Sequence, residues 1–186
     1  MTRFLQLAAL MTGLTAASAA AEEWKVFQSE SRLGFVATYD DIPFDAWFDS
    51  FTAKIRFSPE RLDQSAFDVR IDVASVDSDS ADRDEGMQSE EWFAANEHPV
   101  ARFHTASFEH ESGNRYVAVG ELRLKNVSET IRVPFTWEPQ PDGGAVIAVE
   151  TTLQRGDFNI GTGEWAEDDI IGFDVTVKAR LVLSPR

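Results

Sequence analysis

Three histidines, His98, His104 and His110, recur every six residues, and imidazole is a common ligand for transition metals. On one straight strand His104 and His110 share a face but lie about 20 Å apart. His98 precedes Pro99 in a loop, so the three do not converge on one metal. Asp77, Asp79, Asp82, Asp84 and Glu85 form an acidic run that invites a calcium loop. The pattern fails, because Ala81 and Asp82 stand where such a loop needs its third ligand and its glycine. The run reads as the solvated start of a helix, where the helix dipole favours carboxylates. Arg83-Asp84 and Arg155-Gly156-Asp157 each set a guanidinium beside a carboxylate. Such a fork either pins a helix or strand end by pairing with a carboxylate or carbonyl, or meets an oxygen on the head of a ligand.

Catalytic signatures are missing. The chain has no cysteine, which excludes thiol nucleophiles, thiol redox chemistry and cysteine-held zinc. There is no Gly-x-Ser-x-Gly elbow, zinc-protease helix motif or phosphate loop. Carboxylate pairs of the glycosidase kind abound, but in so acidic a chain they carry little information. The sequence therefore reads as a binding protein, not an enzyme, with no required cofactor and no metal. Seventeen basic and 32 acidic residues give a formal charge of −15, which repels nucleic acid at long range and argues against basic-patch binding.

The residues 1–21 read as a secretory leader. A basic residue at Arg3, an apolar run from Phe4 to Leu14 and the small residues Ala17-Ser18-Ala19 follow in the expected order, with cleavage after Ala19 or Ala21. The apolar run falls short of the ~20 residues a membrane span requires. The segment 22–186 is then one domain, exported from the cytoplasm. Without thiols its stability must come from a packed core.

Period-two alternation dominates that domain. Near its end Ile171, Phe173, Val175, Val177, Ala179, Leu181 and Leu183 share one parity, against Asp174, Thr176, Lys178 and Arg180. This is a strand with one buried and one wet face. From Ile170 to Leu183 it would extend about 45 Å, longer than a compact sandwich needs. The same alternation runs through 33–39, 51–57, 67–73, 116–124, 131–137 and 145–153, and less regularly through 100–108. Ser112-Gly113-Asn114 and Pro139 to Gly144 are turn chemistry. About eight sequential antiparallel strands suit a closed barrel, filled or hollow. A helix interrupts the order between Asp79 and Asn96, with Asp79 or Ser80 to cap it and Ser89 to cap a second turn.

Several fragments, taken in order, are specific. Ser75-Val76, Arg83-Asp84, Met87 to Phe93, His98 to Phe103, Gly120 to Leu124 and Arg155 to Phe158 follow an opening Ser31 to Phe35. This ordered set resembles the YceI-like family over nearly the whole domain. The resemblance implies an all-β, extended eight-stranded antiparallel, lipocalin-like barrel with a short helix near one end. It also implies a periplasmic protein that binds polyisoprenoid chains or isoprenoid quinones in the barrel, without catalysis. The turn after Leu122-Arg123-Leu124 departs from the family, with Asn126 where Gly is common; Asn also tolerates a left-handed conformation.

Phe35, Phe51, Ile55, Phe103, Leu122, Phe135, Trp137 and Phe173 lie on the apolar parity of their strands. They are expected either to line a tunnel or to form ordinary core. A dry tunnel suits an isoprenoid tail, since each buried CH₂ yields about 0.8 kcal/mol. Tyr39, Arg155, Asn159 and Trp165 are candidates for the mouth or a head group. The expected partner is a long-chain amphiphile, with transient membrane contact. The sequence is compatible with a monomer or a homodimer. A non-hollow module serving a respiratory membrane protein is the competing reading.

Overall fold

The structure, a computed structural model, describes residues 21–167 and 169–186; the leader expected at 1–21 lies outside them except for Ala21. Eleven strands make one sheet: β1 (Glu23–Val26), β2 (Arg32–Tyr39), β3 (Ile42–Phe48), β4 (Phe51–Arg56), β5 (Ala66–Asp72), β6 (Val76–Asp77), β7 (Val100–Ser112), β8 (Arg115–Leu124), β9 (Val127–Pro139), β10 (Ala145–Gln154) and β11 (Asp174–Pro185). Eight of them, in the order β1-β4-β5-β7-β8-β9-β10-β11, close into an antiparallel barrel when β11 returns to β1. After a turn at Gln28–Glu30, β2 continues along the same edge of β11 and carries β3 and β6 beyond it.

The expected closed barrel of eight antiparallel strands is present, but its membership differs by one: the alternating segment 33–39 is β2, which belongs to the β2-β3-β6 branch, and the ring is completed by the short β1, which alternation did not mark. The irregular pattern of β7 has a physical cause. Its register against β8 slips between Thr105 and Ser107, and one extra residue moves every later side chain to the other face. Ala101 and Thr105 are buried before the slip, and Phe108 of opposite parity after it. Gly120 sits opposite, where a Cβ would run into the His104 carbonyl and come within 2.8 Å of the Thr105 Cα. The Thr105 hydroxyl fills the gap by accepting from the Phe67 N–H at 2.8 Å.

Aromatic packing closes one barrel end. Phe57, just past β4, is fully buried. Its ring centroid lies 4.8–5.9 Å from those of Phe67, Phe108, Tyr116, Phe135 and Trp137. Trp24 covers this plug, edge-on to Trp137 and donating its indole N–H to the Phe57 carbonyl at 3.0 Å. The other end is covered by α1 (Ala81–Gln88) and the loops around it. Only α1 becomes α-helix within 79–96. Ser80 takes the N-cap position without a side-chain bond, and Ser89 is the C-cap. Beyond it Ala94 turns left-handed (φ 48°). That turn lets adjacent Trp92 and Phe93 both pack, Phe93 against Phe35 and Phe48, and Trp92 against Trp165.

On the outer face, the Arg102 fork of β7 grips Asp68 of β5 at 2.8 and 2.9 Å. Hydrogen bonding from Arg102 holds the Asp68 carboxyl below its ordinary value of 3.8. A depressed folded-state value means that the stabilisation is present above the unfolded value and disappears as pH falls through the folded one. Asp68→Asn is therefore expected to unfold at lower urea than the parent at pH 7. The gap should close as pH falls below 3.8. A gap that persists undiminished in acid would contradict this role.

Candidate functional site

The barrel is hollow. A cavity of about 560 Å³ runs inside it, within the range of roughly 300–1,000 Å³ typical of ligand pockets. Its walls are the inward parity of the strands: Ile147, Val149, Thr151 and Leu153 of β10, and Val175, Val177, Ala179 and Leu181 of β11. Across the lumen stand Ala118, Leu122 and Leu124 of β8 and Ile131 and Val133 of β9. Several of these, Leu122, Val133, Val149 and Val177 among them, are only half-buried although they point inward. A filled core leaves no such surface, because interiors pack to the density of organic crystals.

Phe67, Phe135 and Ile55 floor the cavity on the closed-end side. The mouth lies towards α1, where the exposed residues Tyr39, Asp82, Gly86 and Gln154 reach the same space. Thr151 is the one hydroxyl-bearing residue among the β10 residues that line the cavity.

The structure brings Phe35, Ile55, Phe103, Leu122 and Phe135 to the cavity wall. Phe51 and Trp137 are instead buried off the cavity wall, Trp137 against the Phe57 plug and Phe51 at the opposite end of β4, paired with Ile71. Phe173 also misses the wall. The expected strand from Ile170 starts only at Asp174, since Ile170 and Ile171 leave the β10 ladder to meet the β2–β3 tip. The Phe173 ring then stacks on Arg155, 5.0 Å from its guanidinium.

Of the mouth candidates, Tyr39, Trp165 and Arg155 line the cavity. Asn159 does not. It takes a left-handed conformation (φ 54°) at the end of a short turn, Arg155–Phe158, and belongs to a separate surface cleft with Lys125 and His98. The Lys125 ammonium donates to the Glu90 and Asn159 carbonyls there, both at 2.9 Å, and burial pushes it below its ordinary value. Lys125 also carries the positive φ (52°) of the β8–β9 turn, so the left-handed position falls on it and not on Asn126. Among the described residues no three metal-ligating side chains are assembled.

Arg155 is buried and serves as a hub. Its Nε donates to the Gly172 carbonyl at 3.1 Å; Nη1 donates to Ile160 and Gly161, both at 3.0 Å; and Nη2 donates to Glu167 at 2.7 Å and Ile171 at 2.9 Å. All five acceptors are backbone carbonyls of the loop between β10 and β11, which an irregular backbone leaves without ladder partners. Arg155→Met is expected to cost at least about 3 kcal/mol, because each buried carbonyl stripped of its donor costs about 1–3 kcal/mol. The melting temperature should fall by roughly 6–12 °C. An unchanged melting curve would show that the loop does not depend on the hub.

Arg83 sits at the mouth itself. It lines the cavity, with its guanidinium 4.5 Å from the Phe44 ring centroid. Its Nε donates to the Ser78 hydroxyl at 2.9 Å and its Nη2 to the Ser78 carbonyl at 2.7 Å. Asp84 in turn accepts from the Ser78 N–H and hydroxyl. The adjacent Arg-Asp pair thus meets through Ser78. Phe44 and Ser78 were not legible as partners, since β3 and the approach to α1 are distant in sequence and their alternation is short.

A YceI-like domain model matches residues 24–183. A UPF0312 protein of Pectobacterium atrosepticum is 28% identical over 167 residues, covering 85% of this chain and 86% of its own. One from Yersinia enterocolitica is also 28% identical over 167 residues, covering 85% of each chain. Among solved structures, BcnA of Burkholderia cenocepacia is similar at a TM-score of 0.82 and 30% identity, covering 85% of this chain and 99% of its own. A polyisoprenoid binding domain from Saccharophagus degradans shares the fold at a TM-score of 0.70 and 15% identity, covering 90% of this chain and 100% of its own.

Proposed function

The chain belongs to the YceI-like family, and from that premise and the hollow barrel we propose that it is a periplasmic carrier of a long apolar lipid of the isoprenoid type. The observation that carries this reading is the cavity of about 560 Å³, whose wall is made of aliphatic and aromatic side chains and whose charged groups lie at one end. An isoprenoid tail fits such a lumen, because transfer from water is favourable along its whole length. The polyisoprenoid binding domain that shares this fold supports the choice of ligand class. The leader at residues 1–21 supports export. The mechanism is sequestration: the tail leaves water or membrane, is shielded during transit, and no bond is made or broken. The competing module with a packed centre is disfavoured by the open lumen.

Two tryptophans at the mouth end, Trp92 and Trp165, give the test a built-in reporter. Titration with a prenylated benzoquinone should quench their emission in a saturable, stoichiometric manner. Absence of saturable quenching, together with failure of the unlabelled prenol to compete with a fluorescent fatty probe, would overturn the proposal.

A further inference from the structure

The charged groups of the cavity are confined to Asp82, Arg83 and Arg155 among the described residues that line it. Each guanidinium nitrogen of Arg155 donates to loop carbonyls. Arg83 differs. Ser78 takes its Nε and Nη2, and Phe44 supports the plane. Its Nη1 has no protein acceptor among the described residues. A fork held at two corners presents the third in a fixed direction, so little side-chain entropy is lost when it binds.

The surroundings decide what it can bind. Asp82 shares the mouth with Arg83 and balances its charge. Next in sequence to the lining residues stand further carboxylates: Asp40 and Asp41 follow Tyr39, Glu164 and Glu167 flank Trp165, and Asp169 precedes Ile170, whose carbonyl binds the Asp40 N–H. None of these carboxylates forms an ion pair with a described residue. A multiply charged head would approach this acidic end of the cavity against repulsion that screening only partly relieves. An uncharged oxygen acceptor would not.

We infer that Arg83 is the head-group recognition residue of the cavity, and that the mouth selects an uncharged head bearing carbonyl or ether oxygens over a phosphorylated one. This inference rests on the carrier reading above.

The test uses the full mature chain and three ligands with one prenyl tail: a benzoquinone, a monophosphate and the bare hydrocarbon. The quinone should bind at least about tenfold more tightly than the monophosphate at low ionic strength, and the gap should narrow in 0.5 M salt. Arg83→Gln should weaken the quinone about tenfold, the worth of one charge-assisted hydrogen bond. It should leave the hydrocarbon unchanged. Asp82→Asn should narrow the gap between quinone and phosphate. Arg83→Lys keeps the charge without the fork, and serves if the glutamine variant folds poorly; it too should lose quinone affinity and spare the hydrocarbon. Phosphate binding equal to or tighter than quinone at low salt overturns the inference, as does an equal loss for quinone and hydrocarbon. If the parent binds none of the three, the carrier reading fails with it.

Discussion

Ala179→Trp is expected to abolish lipid binding while leaving the barrel folded. Ala179 lies midway along β11, lines the cavity and is only half-buried. It is paired with Val149 on one side and Leu33 on the other, and both also line the lumen. A side chain added there must project into empty space, and an indole would displace a stretch of tail. Excluding about five carbons forfeits about 4 kcal/mol at roughly 0.8 kcal/mol per CH₂, a loss of about 1,000-fold in affinity. Glu150→Trp, exposed on the outer face of the neighbouring β10, should bind as the parent does. Isothermal or fluorescence titration of both variants, with melting curves alongside, reads the difference. Equal affinity for parent and Ala179→Trp would mean that the ligand does not occupy the lumen.

The second large effect concerns the closed end. Phe57→Ala should destabilise the protein by about 3–5 kcal/mol, the usual cost of deleting a buried aromatic side chain and leaving a void. Phe57 is the centre of five aromatic contacts, so few neighbours can relax into its space without losing one another. The melting temperature should drop by roughly 10–15 °C. A drop of only a degree or two would show that Trp137 and Tyr116 close the end without it.

Alternation made the ring legible. Strands β8 to β11 announce their inward faces residue by residue, because a wall that meets water on one side and an apolar lumen on the other must follow period two. Where that rule breaks, the reading broke with it. The bulge at Thr105–Ser107 reverses parity within β7. The stretch before Asp174 keeps the alternation without being a strand, because Arg155 and the β2–β3 tip claim its carbonyls and N–H groups. Parity could place Trp137 inside, but not say whether inside meant lumen or plug. That depends on height along the barrel, which is fixed by Phe57, a residue outside any strand. The mouth was least legible. Arg83 and Arg155 looked alike in sequence, and only the fold shows one spent on five carbonyls and the other keeping a nitrogen free for the cavity. Family resemblance supplied the ligand class, which strand pattern alone could not.

The central claim is that the lumen carries an isoprenoid-type lipid, and its most direct test is organic extraction of the purified protein followed by mass spectrometry. The account predicts a prenyl quinone or other uncharged isoprenoid at close to one per chain, and its loss from the Ala179→Trp variant. Protein that yields no lipid, and that takes up neither prenyl quinone nor polyprenol on incubation, would contradict it.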